Sequence, residues 1–476
     1  MSWIERAVIY QVYPRSFQDA SGDGIGDLAG IERRLGHIAD LGAAALWLSP
    51  VYPSPGVDMG YDIADFRDVD PLFGDLASLD RLVASAHDQG LRVLLDLVPC
   101  HTSIHHPWFT EHPEYYVWAD GDRPPNNWVA NFGGPAWTLD PERGRWYLHS
   151  YYPEMPDLDW RNPDVVAAMQ DVVRFWLDRG VDGFRLDAIQ GLMKDPAMRD
   201  DPPAERPFGL PLPAEYGRLE HVHSTNSPDV GEAVAALRAA AGDAPLVGEV
   251  YLPAADRGPY LEHLDVAFAF ELLHAPWDAA ALAAAIEANA GGGAAWVLSN
   301  HDFPRVPTRV GEANARAAAV LLLTLPGPAF VYQGEELGQA DAPGPGTRYD
   351  RHGRDSCRHP VQWEPDPRTG GFTDGEPWLA PVDAPRRNVR DQTGDPGSML
   401  ELYRALIALR ADLDGDVSLL EAADGVVAFR RGRHTVAVNT SSAPAPMPAR
   451  GPAVVSTHPG EGDAATLVSH EARVVG

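Results

Sequence analysis

The sequence predicts an α/β chain built around a barrel of parallel strands, with a small excursion domain after the third strand and a short all-β domain at the C-terminal end. Three observations predict it. Short apolar runs rich in Val, Leu and Ile alternate with longer segments of helical period, the pattern of a parallel sheet whose strands are joined by helices. The strand-helix units number eight, which fits a (β/α)8 TIM barrel and puts the working residues at the C-terminal ends of the strands. Beyond about residue 415 the helical period gives way to short alternating segments such as Val426–Arg430 and His434–Asn439.

Taken in order, the strands are expected at Val8–Val12, Ala45–Leu48, Val93–Leu97, Gly183–Leu186, Leu246–Gly248, Val266–Ala269, Trp296–Leu298 and Ala329–Tyr332. Each is an apolar run of strand length. Helices are expected at Leu28–Leu41, Leu76–Gln89, Asp164–Arg179, Gly231–Ala241, Ala279–Ala290, Asn314–Thr324 and Ser398–Arg410, with the helix after the fifth strand the least clear. Two connections are too long for turns. His101–Asn162 is rich in Trp, Tyr, Pro and Asn and reads as an excursion domain, while Gly338–Gly397, rich in Gly, Pro, Asp and Arg, reads as a loop that builds part of a site. The expected boundaries are a barrel over 1–101 and 163–412, an excursion domain over 102–162 and a β domain over 413–476.

With 476 residues, 45% of them hydrophobic, the chain can bury a large core. Its 38 basic against 68 acidic residues leave a formal charge of -30, which repels nucleic acid and anionic membranes and points to neutral or cationic ligands. Lys194 is the one lysine. Cys100 and Cys357 are far apart, which argues against a disulfide scaffold and suits a reducing cytosol. Met1–Phe17 lacks a basic segment followed by an apolar run, and Ala317–Leu325 is too short to span a bilayer. A cytoplasmic location without membrane or nucleic-acid partners is expected; nothing points to an oligomeric state.

Arg185 and Asp187 sit two apart and project from one face of a strand. The bland alternative is a structural ion pair; the sharper one is a carboxylate held ionised by a guanidinium and ready to act as a nucleophile. Other polar residues also follow strands directly: His101, Glu249, and the pair His301 and Asp302. One alone could be a turn or cap residue. In a barrel the set would converge on one mouth. No Cys-x-x-Cys or His-Glu-x-x-His pattern, phosphate loop or Gly-x-Ser-x-Gly elbow accompanies them.

Asp96-Leu-Val-Pro-Cys-His101, Gly183-Phe-Arg-Leu-Asp187, Gly248-Glu-Val250, Ser299-Asn-His-Asp302 and Gly334-Glu-Glu336 occur in the order and spacing of glycoside hydrolase family 13, the α-amylase superfamily, which the chain resembles from about Tyr10 to Trp378. Met155-Pro-Asp-Leu-Asp159 and Tyr332-Gln-Gly-Glu-Glu336 resemble its oligo-1,6-glucosidase and α-glucosidase branch. The resemblance implies a retaining mechanism with Asp187 as nucleophile and Glu249 as general acid and base, their carboxyls about 5–5.5 Å apart. Asp302 would bind sugar hydroxyls more tightly as the ring flattens, and His101 and His301 would donate to the same sugar. Asp58 and Arg354 match residues that close the non-reducing end of the pocket, which implies exo-action on short oligosaccharides or small α-glucosides. Tyr61 would offer a ring face, or else pack on the rim. Ala188, after the nucleophile, leans toward α-1,4 over α-1,6 linkages.

The same resemblance extends to a metal. Asp19, Ser21, Asp23, the carbonyl of Ile25, and Asp27 alternate through a Gly-rich loop like the short calcium loop of this branch, where Ser21 replaces the usual Asn. A structural Ca²⁺, or Mg²⁺, is expected there, and no organic cofactor. Cys100 stands where the family usually has an Asn that helps bind calcium, which implies that this second calcium site is absent. The functions carried forward are an exo-acting α-glucosidase, a transglucosylase in which a sugar or alcohol captures the intermediate, an oligo-1,6-glucosidase, and a non-catalytic binding subunit on the same barrel.

Overall fold

The computed structural model describes residues 3–344, 346, 350–460 and 464–476. Eight parallel strands close into a barrel: β1 Val8–Val12, β2 Ala45–Leu48, β3 Arg92–Leu97, β4 Gly183–Leu186, β5 Leu246–Gly248, β6 Val266–Phe268, β7 Ala294–Val297 and β8 Ala329–Tyr332, in the order β1-β8-β7-β6-β5-β4-β3-β2. Apart from exposed Arg92, every residue of these strands is buried, as runs covered on both faces require.

The chain forms two compact units. One comprises Met1–Leu48, Arg81–Arg92 and Ala269–Gly476. In it, helix Leu28–Leu41 starts where the Asp27 carboxylate accepts the Gly30 N–H and stops at Gly42, whose φ of 90° suits a residue without a side chain. Leu28, Ile31, Leu35, Ile38 and Leu41 form its buried stripe, each contributing roughly 1.5–3 kcal/mol. This unit also carries the C-terminal antiparallel sheet, Ser418–Leu419, Val426–Arg431, His434–Asn439, Ala472–Val475 and Ala453–Ser456, in that spatial order.

The other unit comprises Ser49–Asp80 and Val93–Phe268. Helix Pro163–Asp178 begins on the cap Asn162, with Pro163 in the first turn where its missing N–H costs nothing. The excursion after β3 contains a three-stranded antiparallel sheet, Trp118–Ala119, Arg145–Leu148 and Trp137–Asp140. Trp128, Trp137, Ala130 and Leu148 form its core.

Differences from expectation are local. The segment after β5 contains a short 3-10 turn, Ala254–Asp256, and a one-turn helix, Gly258–Leu261, because Pro253, Gly258 and Pro259 interrupt a longer helix. β7 begins two residues earlier than expected, at Ala294, since its opening alanines carry little strand signal. β6 ends at Phe268, leaving Ala269 to start the short helix Phe270–His274.

Candidate active site

The second unit gathers three carboxyls around one guanidinium. Arg185 lies in β4, and its register partner on β3 is Asp96. Arg185 Nη1 donates to Asp187 Oδ1 at 2.6 Å and to Asp96 Oδ1 at 2.7 Å, while Nη2 lies 2.7 Å from Glu249 Oε2. Glu249 follows β5 directly, and its N–H donates to the carbonyl of Leu186, which brings it beside Asp187. Ala188 takes a left-handed conformation, φ 48°, and from there its N–H reaches Glu249 Oε2 at 3.1 Å. For a residue with a Cβ that conformation costs roughly 1–2 kcal/mol. Glu249 Oε2 thus receives two N–H donors, and Oε1 is left as the oxygen that can carry a proton.

Burial is the largest influence on Asp96 and Asp187 and raises both toward the neutral form. It pushes Asp96 up to about 6, against the pull of Arg185 and a hydrogen bond from Tyr61. Asp187 is also raised by burial; Arg185 opposes this, and the carboxylates of Glu249 and Asp96 reinforce it. Arg185 alone therefore does not hold Asp187 low in the free protein. One guanidinium cannot neutralise three buried carboxylates, which is why Asp96 and Asp187 are raised despite their contact with Arg185. Arg185 holds the Asp187 and Glu249 carboxyls beside each other, Asp187 on Nη1 and Glu249 on Nη2.

Asp96 is the residue that sequence reading missed here. It opens the first of the motifs that carry the family resemblance, but its pairing with Arg185 was not read from it. Tyr61, 6% exposed, donates its hydroxyl to Asp96 Oδ2 at 2.9 Å and its ring lies 5.8 Å from the Arg185 guanidinium carbon, so it braces the cluster. Asp58 is buried on the loop before it, where the Asp62 carboxylate accepts the N–H groups of Val57 and Asp58. His101 lies on the same unit, lowered by burial and therefore neutral. With Nε2 3.2 Å from the carbonyl of Tyr61, the proton belongs on Nε2, and the buried Nδ1 is a bare acceptor.

The first unit holds the remaining set. Asn300 Oδ1 accepts the N–H groups of Asp302 and Phe303, fixing the turn after β7. Gln11 Nε2 contacts His301 Nδ1 at 2.8 Å, so His301 presents Nε2–H to Asp302 Oδ2 at 3.2 Å. Asp302 Oδ1 receives Arg354 Nη1 at 2.8 Å and Arg358 Nη2 at 3.2 Å. Arg358 also donates through Nε to the carbonyl of His301. Gln11 and Arg358 are further residues that the sequence did not reveal.

The loop Asp19–Asp27 offers only oxygen ligands, three of them carboxylates, which is the donor chemistry of a hard cation. Burial raises the Asp19 carboxyl, but donors from Thr373, Gly22, Gly24 and Ser21 outweigh it and hold the group below its ordinary range. Asp27 Oδ2 accepts from Ala20 and Ser21, and Asp23 Oδ1 from Ile25. At Gly24 packing forbids a side chain, since a Cβ would lie 1.9 Å from the carbonyl oxygen of Glu376. Among the described residues, Cys100, His101 and Asp157 do bring ligand atoms within 4.8 Å of one another. Burial keeps Cys100 a thiol, and the Lys194 ammonium, 2.8 Å from Asp157 Oδ2 and hydrogen-bonded to the carbonyl of Gly191, supplies the positive charge there. That corner does not fit a calcium ion.

The family model described as "Alpha amylase, catalytic domain" matches residues 11–415. A probable alpha-glucosidase of Rhizobium meliloti (strain 1021) is 41% identical over 480 residues, covering 90% of this chain and 87% of that protein. The oligo-1,6-glucosidase of Parageobacillus thermoglucosidasius is 34% identical, covering 87% and 84% respectively. Among solved structures, the alpha-glucosyl transfer enzyme XgtA superposes with a TM-score of 0.92 at 38% identity, over 100% of both chains. With the closed barrel, the acids that follow its strands and a family match over most of its length, the chain belongs to glycoside hydrolase family 13, the α-amylase superfamily.

Proposed function

We propose that the protein is a retaining, exo-acting α-glucosidase that removes terminal non-reducing glucosyl units, with α-1,4 linkages favoured. The observation that carries this reading is the grip of Arg185 on both Asp187 and Glu249 at the ends of adjacent strands. Arg185 binds Asp187 through Oδ1, which leaves Oδ2 to attack the anomeric carbon. As the glycosidic C–O bond breaks, Glu249 Oε1 delivers its proton to the leaving oxygen, and Asp187 becomes esterified to the sugar. Glu249, now ionised, takes a proton from water, whose oxygen displaces Asp187 and releases glucose with its original configuration. Asp302 would grip the sugar hydroxyls, with Asp58 and Arg354 closing the non-reducing end. Relatives named alpha-glucosidase and oligo-1,6-glucosidase support the substrate class.

A second reading, transfer of glucosyl units to sugar or alcohol acceptors, is favoured by the likeness to an alpha-glucosyl transfer enzyme. Incubation with maltose, isomaltose, trehalose and sucrose separates the two. Glucose alone supports hydrolysis, accumulating mixed glycosides support transfer, and no product from any of them overturns both. We also propose a structural Ca²⁺, or Mg²⁺, in the loop Asp19–Asp27, supported by its oxygen-only donors; an unchanged melting temperature after chelation and calcium replacement would overturn it. A cytoplasmic location is proposed on the two free, buried cysteines. Among the described residues no helix is long and apolar enough to cross a membrane.

A further inference from the structure

A concavity away from the acid cluster opens on the unit that carries Arg185, Asp187 and Glu249, and none of those residues lines it: a groove of about 480 Å³, within the range of small-ligand sites. One wall is a run of rings. Phe66 lies 5.6 Å from Trp108, His106 lies 4.5 Å from Trp108, Trp108 lies 5.5 Å from Tyr115 and His112 lies 4.8 Å from Tyr115, centroid to centroid. Trp108, His112 and Tyr115 are half-buried, leaving ring surface to a ligand, while the other wall carries the exposed carboxylates of Asp164 and of Asp171, the latter 2.7 Å from Arg174 Nη1, and Arg67 also lines the groove.

His106 gives the groove its polarity. It is 5% exposed, and its Nδ1 accepts the N–H of Trp108, so the proton of the neutral ring belongs on Nε2. Burial lowers its pKa to about 4, so the ring is neutral under physiological conditions. The groove thus combines aromatic surface, a fixed neutral N–H donor and anionic acceptors. A pyranose has matching parts: an apolar C–H face for the rings, hydroxyl oxygens that accept from His106, and hydroxyl hydrogens that the carboxylates accept. Acidic side chains, Asp65, Glu111, Asp164 and Asp171, outnumber the one arginine, Arg67, in the lining, which disfavours anions, while the His106 N–H donor suits a neutral hydroxylated ligand better than a cation.

We propose that this groove is an auxiliary saccharide site that holds a neutral α-glucoside chain outside the catalytic cluster. The proposal rests on the glucosidase reading for its sugar class. To test it, an Asp187→Asn protein, which cannot turn substrate over, is titrated with maltotetraose by calorimetry. Two binding events are expected. Adding Trp108→Ala removes one, His106→Ala weakens the same event at least fivefold, and Trp108→Phe retains it. In the otherwise native protein, Trp108→Ala leaves hydrolysis of 4-nitrophenyl α-glucoside unchanged. A single event indifferent to Trp108→Ala and His106→Ala overturns the proposal, as does a groove that takes tetramethylammonium and not maltotetraose. Failure of the native protein to hydrolyse the nitrophenyl glucoside would instead count against the glucosidase reading, since that assay does not involve the groove.

Discussion

Arg185→Lys tests the charge arrangement most sharply because it keeps the positive charge and removes the fork. Arg185 touches Asp187, Asp96 and Glu249 through two nitrogens, and it is 1% exposed. A lysine ammonium on a flexible stem can sit against one of these carboxyls but cannot span all three. Each lost charge-assisted hydrogen bond contributes about 1.5–3 kcal/mol, so two together amount to about 3–6 kcal/mol. Part of this falls on stability and part on the transition state. If half reaches the reaction, kcat/KM falls on the order of tenfold to more than a hundredfold. The pH profile of kcat/KM should also change, because Arg185 opposes the rise that burial imposes on Asp96 and Asp187. The assay is nitrophenyl glucoside hydrolysis across pH, with circular dichroism to confirm folding. Activity within threefold of the parent and an unchanged profile would refute the role given to Arg185.

Tyr61→Phe removes the hydroxyl that bonds Asp96 Oδ2 and should lower stability by about 1–3 kcal/mol, read by chemical denaturation. Glu335 is buried between Ser299 and Tyr403 and raised by that burial to about 7 from 4.5. The folded state therefore binds more protons than the unfolded chain across this window, so stability falls as pH rises from 4.5 to 7, by about 3 kcal/mol. Glu335→Gln should flatten that slope, which melting measured at several pH values would show. Ala188→Gly relieves the left-handed strain, yet it should not raise activity, because the N–H to Glu249 is already in place; steady-state kinetics decides.

What the sequence revealed depended on how local each signal is. Five barrel strands, Val8–Val12 and Ala45–Leu48 among them, have the expected bounds because each is an apolar run bordered by polar or turn residues. Asp187, Glu249, His301 and Asp302 were legible because each directly follows such a run. Asp96 was not, since its meaning comes from lying opposite Arg185 on the next strand, a pairing that only register supplies. Arg358 escaped for a similar reason: 56 residues separate it from Asp302, and a long irregular loop brings them together. The donor or acceptor sense of His101 depends on the Tyr61 carbonyl, which no spacing in the sequence encodes.

The central claim is that Asp187 forms a bond to the sugar. Incubating the protein with a slowly released fluorinated α-glucosyl fluoride, digesting it and sequencing the labelled peptide by mass spectrometry tests this directly. The account predicts one glycosylated peptide, with the sugar on Asp187. A label on Glu249 or Asp302, or first-formed glucose of inverted configuration from the normal substrate, would contradict it.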